Sequence, residues 1–124
     1  EETGMLSASY FWAGSEAPVG GFRPTYWKRY DHNVPHEERI AQVMDWMNLP
    51  PEERPHLVTL YFSMVDDAGH AFGPNAPETK EAVLAVDELI SQLRAQIGSL
   101  GLPIYLVIVS DHGMIDVNRG ISLH

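Results

Sequence analysis

The sequence predicts an α/β fold, a parallel sheet flanked by helices. Three observations carry that expectation. Two apolar runs, residues 57–65 and 104–110, lack a polar face, as strands buried on both sides of a parallel sheet do. Residues 78–97, between them, show apolar side chains at helical spacing. The resulting order of β, loop, α, β, α, β is the alternation that a parallel sheet with right-handed crossovers requires.

Each element has its own reason. Residues 1–35 are rich in Gly, Pro and aromatics, including Tyr10-Phe11-Trp12-Ala13-Gly14-Ser15 and Arg23-Pro24-Thr25-Tyr26-Trp27. They read as a short strand near 8–12 followed by a long irregular loop. Loops of that length are usually functional or disordered, and the aromatic content argues against disorder. Pro35-His36-Glu37-Glu38 opens a helix, with proline at the first turn and acids near the positive end of the dipole. Ile40, Val43, Met44 and Met47 continue it, and Pro50-Pro51 ends it. Residues 57–65 form the next strand, and 69–77 a Gly/Pro loop. In the helix of 78–97, Val83, Val86, Ile90, Leu93 and Ile97 make the apolar stripe, with Gly98 as its cap. Residues 104–109 form a second buried strand.

The chain has 124 residues, 44% of them hydrophobic, enough for a real core. No apolar run approaches the roughly 20 residues that span a bilayer. The start, Glu1-Glu2-Thr3-Gly4, carries no basic n-region of a signal peptide, as a mature or excised chain would also lack. Without cysteine, disulfides and thiolate metal sites are excluded. A formal net charge of −9, from 8 basic and 17 acidic residues, argues against a surface that coats nucleic acid. It leaves a phosphate substrate possible, because a bound divalent cation can dominate the local field.

The chemistry gathers at two places, Asp66-Asp67-Ala68-Gly69-His70 and Asp111-His112-Gly113. Each follows a predicted strand, and ligands of open α/β sheets bind outside the carboxyl ends of strands. Asp oxygen and His nitrogen suit zinc. Gly69 would permit a turn that brings His70 beside an aspartate, and spacing leaves Asp66 and Asp67 both open. Asp111 and His112 are adjacent, so both reach one ion only where the chain leaves the sheet. Two incomplete ligand pairs side by side imply two metals about 4 Å apart, a clamp for phosphoryl transfer. A lone Asp at a strand end is otherwise a turn former or cap. His32, His36, His56 and His124 lie in polar, loop-like, helix-start or terminal settings and read as solvated. Trp12, Tyr26, Trp27, Tyr30 and Tyr61 pack over the sheet or sandwich a planar base. No G-x-S-x-G elbow or P-loop is present, and Ser110 reads as structural.

Phe11-Trp12-Ala13-Gly14-Ser15, Val34-Pro35-His36-Glu37-Glu38-Arg39, Leu60-Tyr61, Asp66-Asp67-Ala68-Gly69-His70-Ala71-Phe72-Gly73-Pro74 and Val109-Ser110-Asp111-His112-Gly113-Met114 resemble the nucleotide pyrophosphatase/phosphodiesterase family of the alkaline phosphatase superfamily. The resemblance implies an alkaline-phosphatase-like sheet, two Zn2+ ions and a threonine nucleophile that cleaves phosphodiester or pyrophosphate bonds of nucleotides or related diesters. It implies Asp66 and His70 on one zinc, with Asp66 preferred to Asp67, and Asp111 and His112 on the other. It implies Trp12, Tyr30 and Tyr61 at the nucleotide pocket, with Tyr30 stacking on the base. It also implies an exported protein, periplasmic or secreted, and the absence of cysteine fits a bacterial member. Ala13 stands where members usually have proline, and Ser63-Met64-Val65 where Glu-Glu-Pro is frequent.

The family's nucleophile and first metal aspartate precede the matching motifs, and a last metal histidine follows them. Residues 1–124 are therefore expected to be the central segment of one catalytic domain, inactive in isolation. Competing expectations are a different superfamily reaction on the same core, such as a phosphomonoesterase, phosphonate hydrolase or mutase, and a non-catalytic metal-binding fragment.

Overall fold

The computed structural model describes residues 4–117. Three strands, β1 (Ser7–Tyr10), β2 (Tyr26–Lys28) and β3 (Leu57–Leu60), form one parallel sheet in the order β2-β1-β3. Three helices accompany them: α1 (His36–Met47), α2 (Met64–Phe72) and α3 (Pro77–Ser99). The central strand is buried on both faces, and Ala8 pairs with Tyr26 on one side and Val58 on the other. Its Ser9 is satisfied inside the sheet, because the Thr59 hydroxyl donates to Ser9 Oγ at 3.0 Å.

Helix α1 starts where the sequence predicts. Pro35, at φ −55° and ψ 145°, leads the chain in, and Glu37 and Glu38 occupy the first turn. Ile40, Val43, Trp46 and Met47 bury against Ala8, Tyr10, Phe11, Leu89 and Leu93. Burying each of the large ones contributes roughly 1.5–3 kcal/mol. α1 packs on β1, β3 and α3, and α2 packs on α3.

Several expectations change. The expected strand 57–65 ends at Leu60, and α2 takes up Met64 onward. A continuous apolar run does not by itself separate strand from helix. Here Asp66 and Asp67 sit in the first helical turn, where the dipole favours them. Gly69 is thus no turn residue. It is buried in α2, and a Cβ on it would lie 2.5 Å from Met114 Sδ.

Residues 104–109 form no regular element and pair with no strand among the described residues. Tyr105, Val107, Ile108 and Val109 are 65–94% exposed. β-branched composition favours a strand only when a neighbour completes its hydrogen bonds and covers its faces. The long N-terminal loop instead yields a strand, β2, whose Tyr26 stacks on Trp46 at 6.2 Å. α3 runs past Gly98 to Ser99, and Gly101 takes the positive φ, 65°. Its buried side is Thr79, Leu89 and Leu93, while Val83 is exposed. His36 is half-buried, edge-on to Phe62 at 5.5 Å, and not solvated as expected. His32 and His56 are exposed. His124 lies outside the described residues.

Candidate metal and nucleotide site

Helix α2 builds the first half of the site. Asp66 and His70 are four residues apart, one helical turn, and so share a face. His70 Nε2 lies 3.4 Å from Asp66 Oδ1. The predicted proximity is correct, but helical periodicity produces it, not a glycine turn. Asp67 faces elsewhere, with Oδ2 3.9 Å from His32 Nδ1.

The second half comes from the exposed segment after residue 110. His112 Nε2 lies 3.7 Å from Asp66 Oδ1 and 3.8 Å from Asp111 Oδ2. The two imidazoles therefore converge on Asp66 Oδ1, and Asp111 stands beside His112. Neither pair stands at the end of a sheet strand as expected, since one is on a helix and the other on unpaired chain. Local bonds shape the second pair. Asp111 Oδ1 accepts from the His112 backbone N–H at 3.1 Å, and the Ser110 hydroxyl donates to the His112 carbonyl.

The electrostatics favour a positive charge between these groups. His112 Nδ1 faces the Gly113 carbonyl at 3.0 Å. A carbonyl only accepts, so Nδ1 carries the proton and Nε2 presents a lone pair when the ring is neutral. That hydrogen bond, and then the Asp111 carboxylate, raise the His112 pKa above its ordinary value. Asp66 Oδ1 is buried and has no hydrogen-bond partner. An acceptor in that position is satisfied by a proton or a cation. The donor set fits zinc chemically. Among the described residues, no group of three such side chains is arranged to hold a metal ion.

The three aromatic candidates differ in their surroundings. Tyr61 is half-buried, and burial raises its phenol pKa, with Asp66 and Asp111 adding to the effect. Tyr30 is 42% exposed, its ring edge-on to Phe11 at 5.2 Å and its hydroxyl 3.4 Å from His32 Nδ1. Trp12 is equally exposed and follows Phe11 directly. An exposed indole and phenol are suited to stacking on a planar group.

Sequence reasoning missed Arg39 and Phe11. Arg39 is fully buried in α1, and its guanidinium lies over the Phe11 ring, 4.9 Å from the centroid. Phe11 adopts φ 65°, the left-handed region that a bulky residue rarely occupies. The available signal for Arg39 was its register, four residues before Val43 and seven before Trp46, on the apolar face of α1. No sequence signal announces the Phe11 backbone.

Known proteins resemble this chain along most of its length. The family model described as type I phosphodiesterase / nucleotide pyrophosphatase matches residues 1–124. Ectonucleotide pyrophosphatase/phosphodiesterase family member 1 of Mus musculus is 43% identical over 112 residues, covering 89% of this chain and 12% of that protein. A venom phosphodiesterase of Macrovipera lebetinus is 38% identical over 120 residues, 94% of this chain and 14% of that protein. The chain thus spans only about an eighth of the length of these relatives. A solved structure of murine ectonucleotide pyrophosphatase / phosphodiesterase 5, an inactive variant in complex with AMP, superposes with a TM-score of 0.72 at 26% identity. That match covers 79% of this chain and 26% of the other.

Proposed function

The chain belongs to the type I phosphodiesterase / nucleotide pyrophosphatase family, and from that premise we propose that it supplies part of a two-zinc centre. That centre cleaves phosphodiester or pyrophosphate bonds of nucleotides or related diesters. The observation that carries the proposal is the convergence of His70 and His112 on the buried Asp66 Oδ1, with Asp111 beside His112. In this reading Asp66 and His70 hold one zinc, and Asp111 and His112 hold the other. Each pair is half a ligand set, and further chain completes both. Bound zinc would polarise the phosphoryl oxygens and lower the pKa of a threonine nucleophile supplied from outside this segment.

The remaining residues bind and orient. Tyr30 stacks on the base, Trp12 extends that apolar surface, and Tyr61 closes the pocket beside the carboxylates. The AMP held by the phosphodiesterase 5 variant supports a nucleotide as the substrate class. Relatives named as ectoenzymes and venom enzymes support an exported protein. No helix among the described residues is long and apolar enough to cross a membrane.

The deciding experiment is Asp111→Ala in the full-length protein. Bound zinc should fall, and hydrolysis of a chromogenic diester should drop by about 10³-fold, the scale of losing metal stabilisation at the reacting phosphate. Hydrolysis at the unmodified rate would sink the proposal.

A further inference from the structure

Arg39 occupies a position where an apolar side chain would fit the pattern of α1, yet it carries a charge with no solvent exposure. Burying a cation costs several kcal/mol unless hydrogen bonds compensate. Here they do. Nε and Nη2 donate to the Val34 carbonyl at 3.2 and 3.1 Å, and Nη1 donates to the Tyr61 carbonyl at 3.1 Å. The face of the guanidinium lies on the Phe11 ring. One planar group therefore ties together three segments far apart in sequence, at residues 11, 34 and 61. Burial of an aliphatic side chain could fill that space but could not join those carbonyls.

Two of these segments lead to the candidate aromatic residues. Tyr61 offers Arg39 its own carbonyl. Phe11, 3% exposed, sets its edge against Tyr30 with the rings 66° apart. Its φ of 65° turns the chain out of β1 immediately before Trp12. A non-glycine residue in that region is strained, and the surroundings must hold it in place. The cation on its ring is one such holder. None of Arg39's hydrogen bonds goes to Asp66, His70, Asp111 or His112.

We propose that Arg39 is a positioning residue for nucleotide selectivity, fixing Tyr61 through its carbonyl and Tyr30 through the Phe11 ring. The proposal rests on the reading above that these tyrosines line a nucleotide pocket. It adds a separable claim: the setting of the base-binding face is independent of the metal ligands. Lysine should not replace arginine, because an ammonium group lacks the planar fork and stacks less well.

The test uses the full-length protein with Arg39→Lys, Arg39→Met and Phe11→Leu. Each is assayed on an adenosine phosphodiester with a p-nitrophenyl leaving group and on base-free bis-p-nitrophenyl phosphate, with thermal unfolding in parallel. Both Arg39 variants should lower the ratio of kcat/KM for the nucleotide over the base-free diester about tenfold, mostly through KM. Phe11→Leu, which keeps an apolar side chain, should lower it about threefold. An unaltered ratio in the Arg39 variants, whether both substrates fall together or neither does, overturns the proposal. So does failure of all three variants to fold, since Arg39 would then be a strut for the whole domain. An unmodified protein that hydrolyses neither diester overturns the function proposed above, and this inference with it.

Discussion

The two Asp/His pairs reach the same point by different means. Asp66 and His70 are set by one turn of α2, which packs on α3, so their spacing needs nothing beyond a helix. Asp111 and His112 lie on chain with no ladder partner among the described residues, and the run before them is exposed. Their placement is borrowed. Met114 packs against the bare backbone of Gly69, and Asn75 Nδ2 donates to Asp116 Oδ2 at 3.2 Å. The comparison teaches that a mixed donor site can have one half encoded locally and the other held only by tertiary contacts.

The largest expected effect asks which half anchors the site. Asp66 faces both imidazoles, so Asp66→Ala in the full-length protein should cost at least the roughly 10³-fold in turnover expected for Asp111→Ala. Steady-state kinetics with metal analysis would read this. A clearly milder loss for Asp66→Ala would make the exposed segment the anchor and reverse the comparison.

The contact between the halves comes next. Gly69→Val pushes a methyl-bearing Cβ into Met114 Sδ, whose flexible end must move away. Overpacking of this kind costs roughly 1–3 kcal/mol. Denaturant unfolding should show that loss, and turnover should fall with it as His112 moves. Lost stability with full activity would show that Met114 does not position His112.

A smaller effect belongs to the ordered half alone. Burial lowers the pKa of His36 below its ordinary value of 6.5, with the Arg39 charge contributing. The unfolded chain then takes up a proton before the folded one does. Stability present above about pH 6.5 should therefore decline as pH falls through that value toward the depressed pKa. His36→Phe should flatten this part of the stability profile, and an unaltered profile would show that His36 does not contribute to it. The smallest effect lies in the unpaired run. Tyr105 is 94% exposed, so Tyr105→Ser in the 124-residue chain should shift unfolding by less than about 0.5 kcal/mol. A loss beyond about 1 kcal/mol would indicate that the run is paired in solution.

Much of this was legible in the order of residues. The proline and acids at 35–38 gave the start of α1, and residue type drew attention to the two Asp/His clusters, while spacing left Asp66 and Asp67 both open. Two errors share one cause. Residues 57–65 and 104–109 are both apolar and β-branched, and both read as buried strands. In the first, the acids at 66 and 67 favoured a helix start close by. In the second, no neighbouring strand among the described residues completes the ladder. Composition records what a strand would bury and says nothing of whether a partner is there.

Arg39 illustrates the same limit from the other side. Its register placed it on an apolar face, but its use of the Val34 and Tyr61 carbonyls depends on loops brought together from distant sequence.

The sequence by itself determined the elements whose physics is local: the entry to α1, the amphipathic α3 and the Asp and His residues able to bind a cation. Tertiary structure alone decided that β2 joins the sheet, that Phe11 accepts a left-handed backbone, and that His112 meets Asp66 across 46 residues. Local propensities act within a turn or two of chain. Pairing, burial and convergence depend on which distant segments exclude water together, and no window of sequence contains that information.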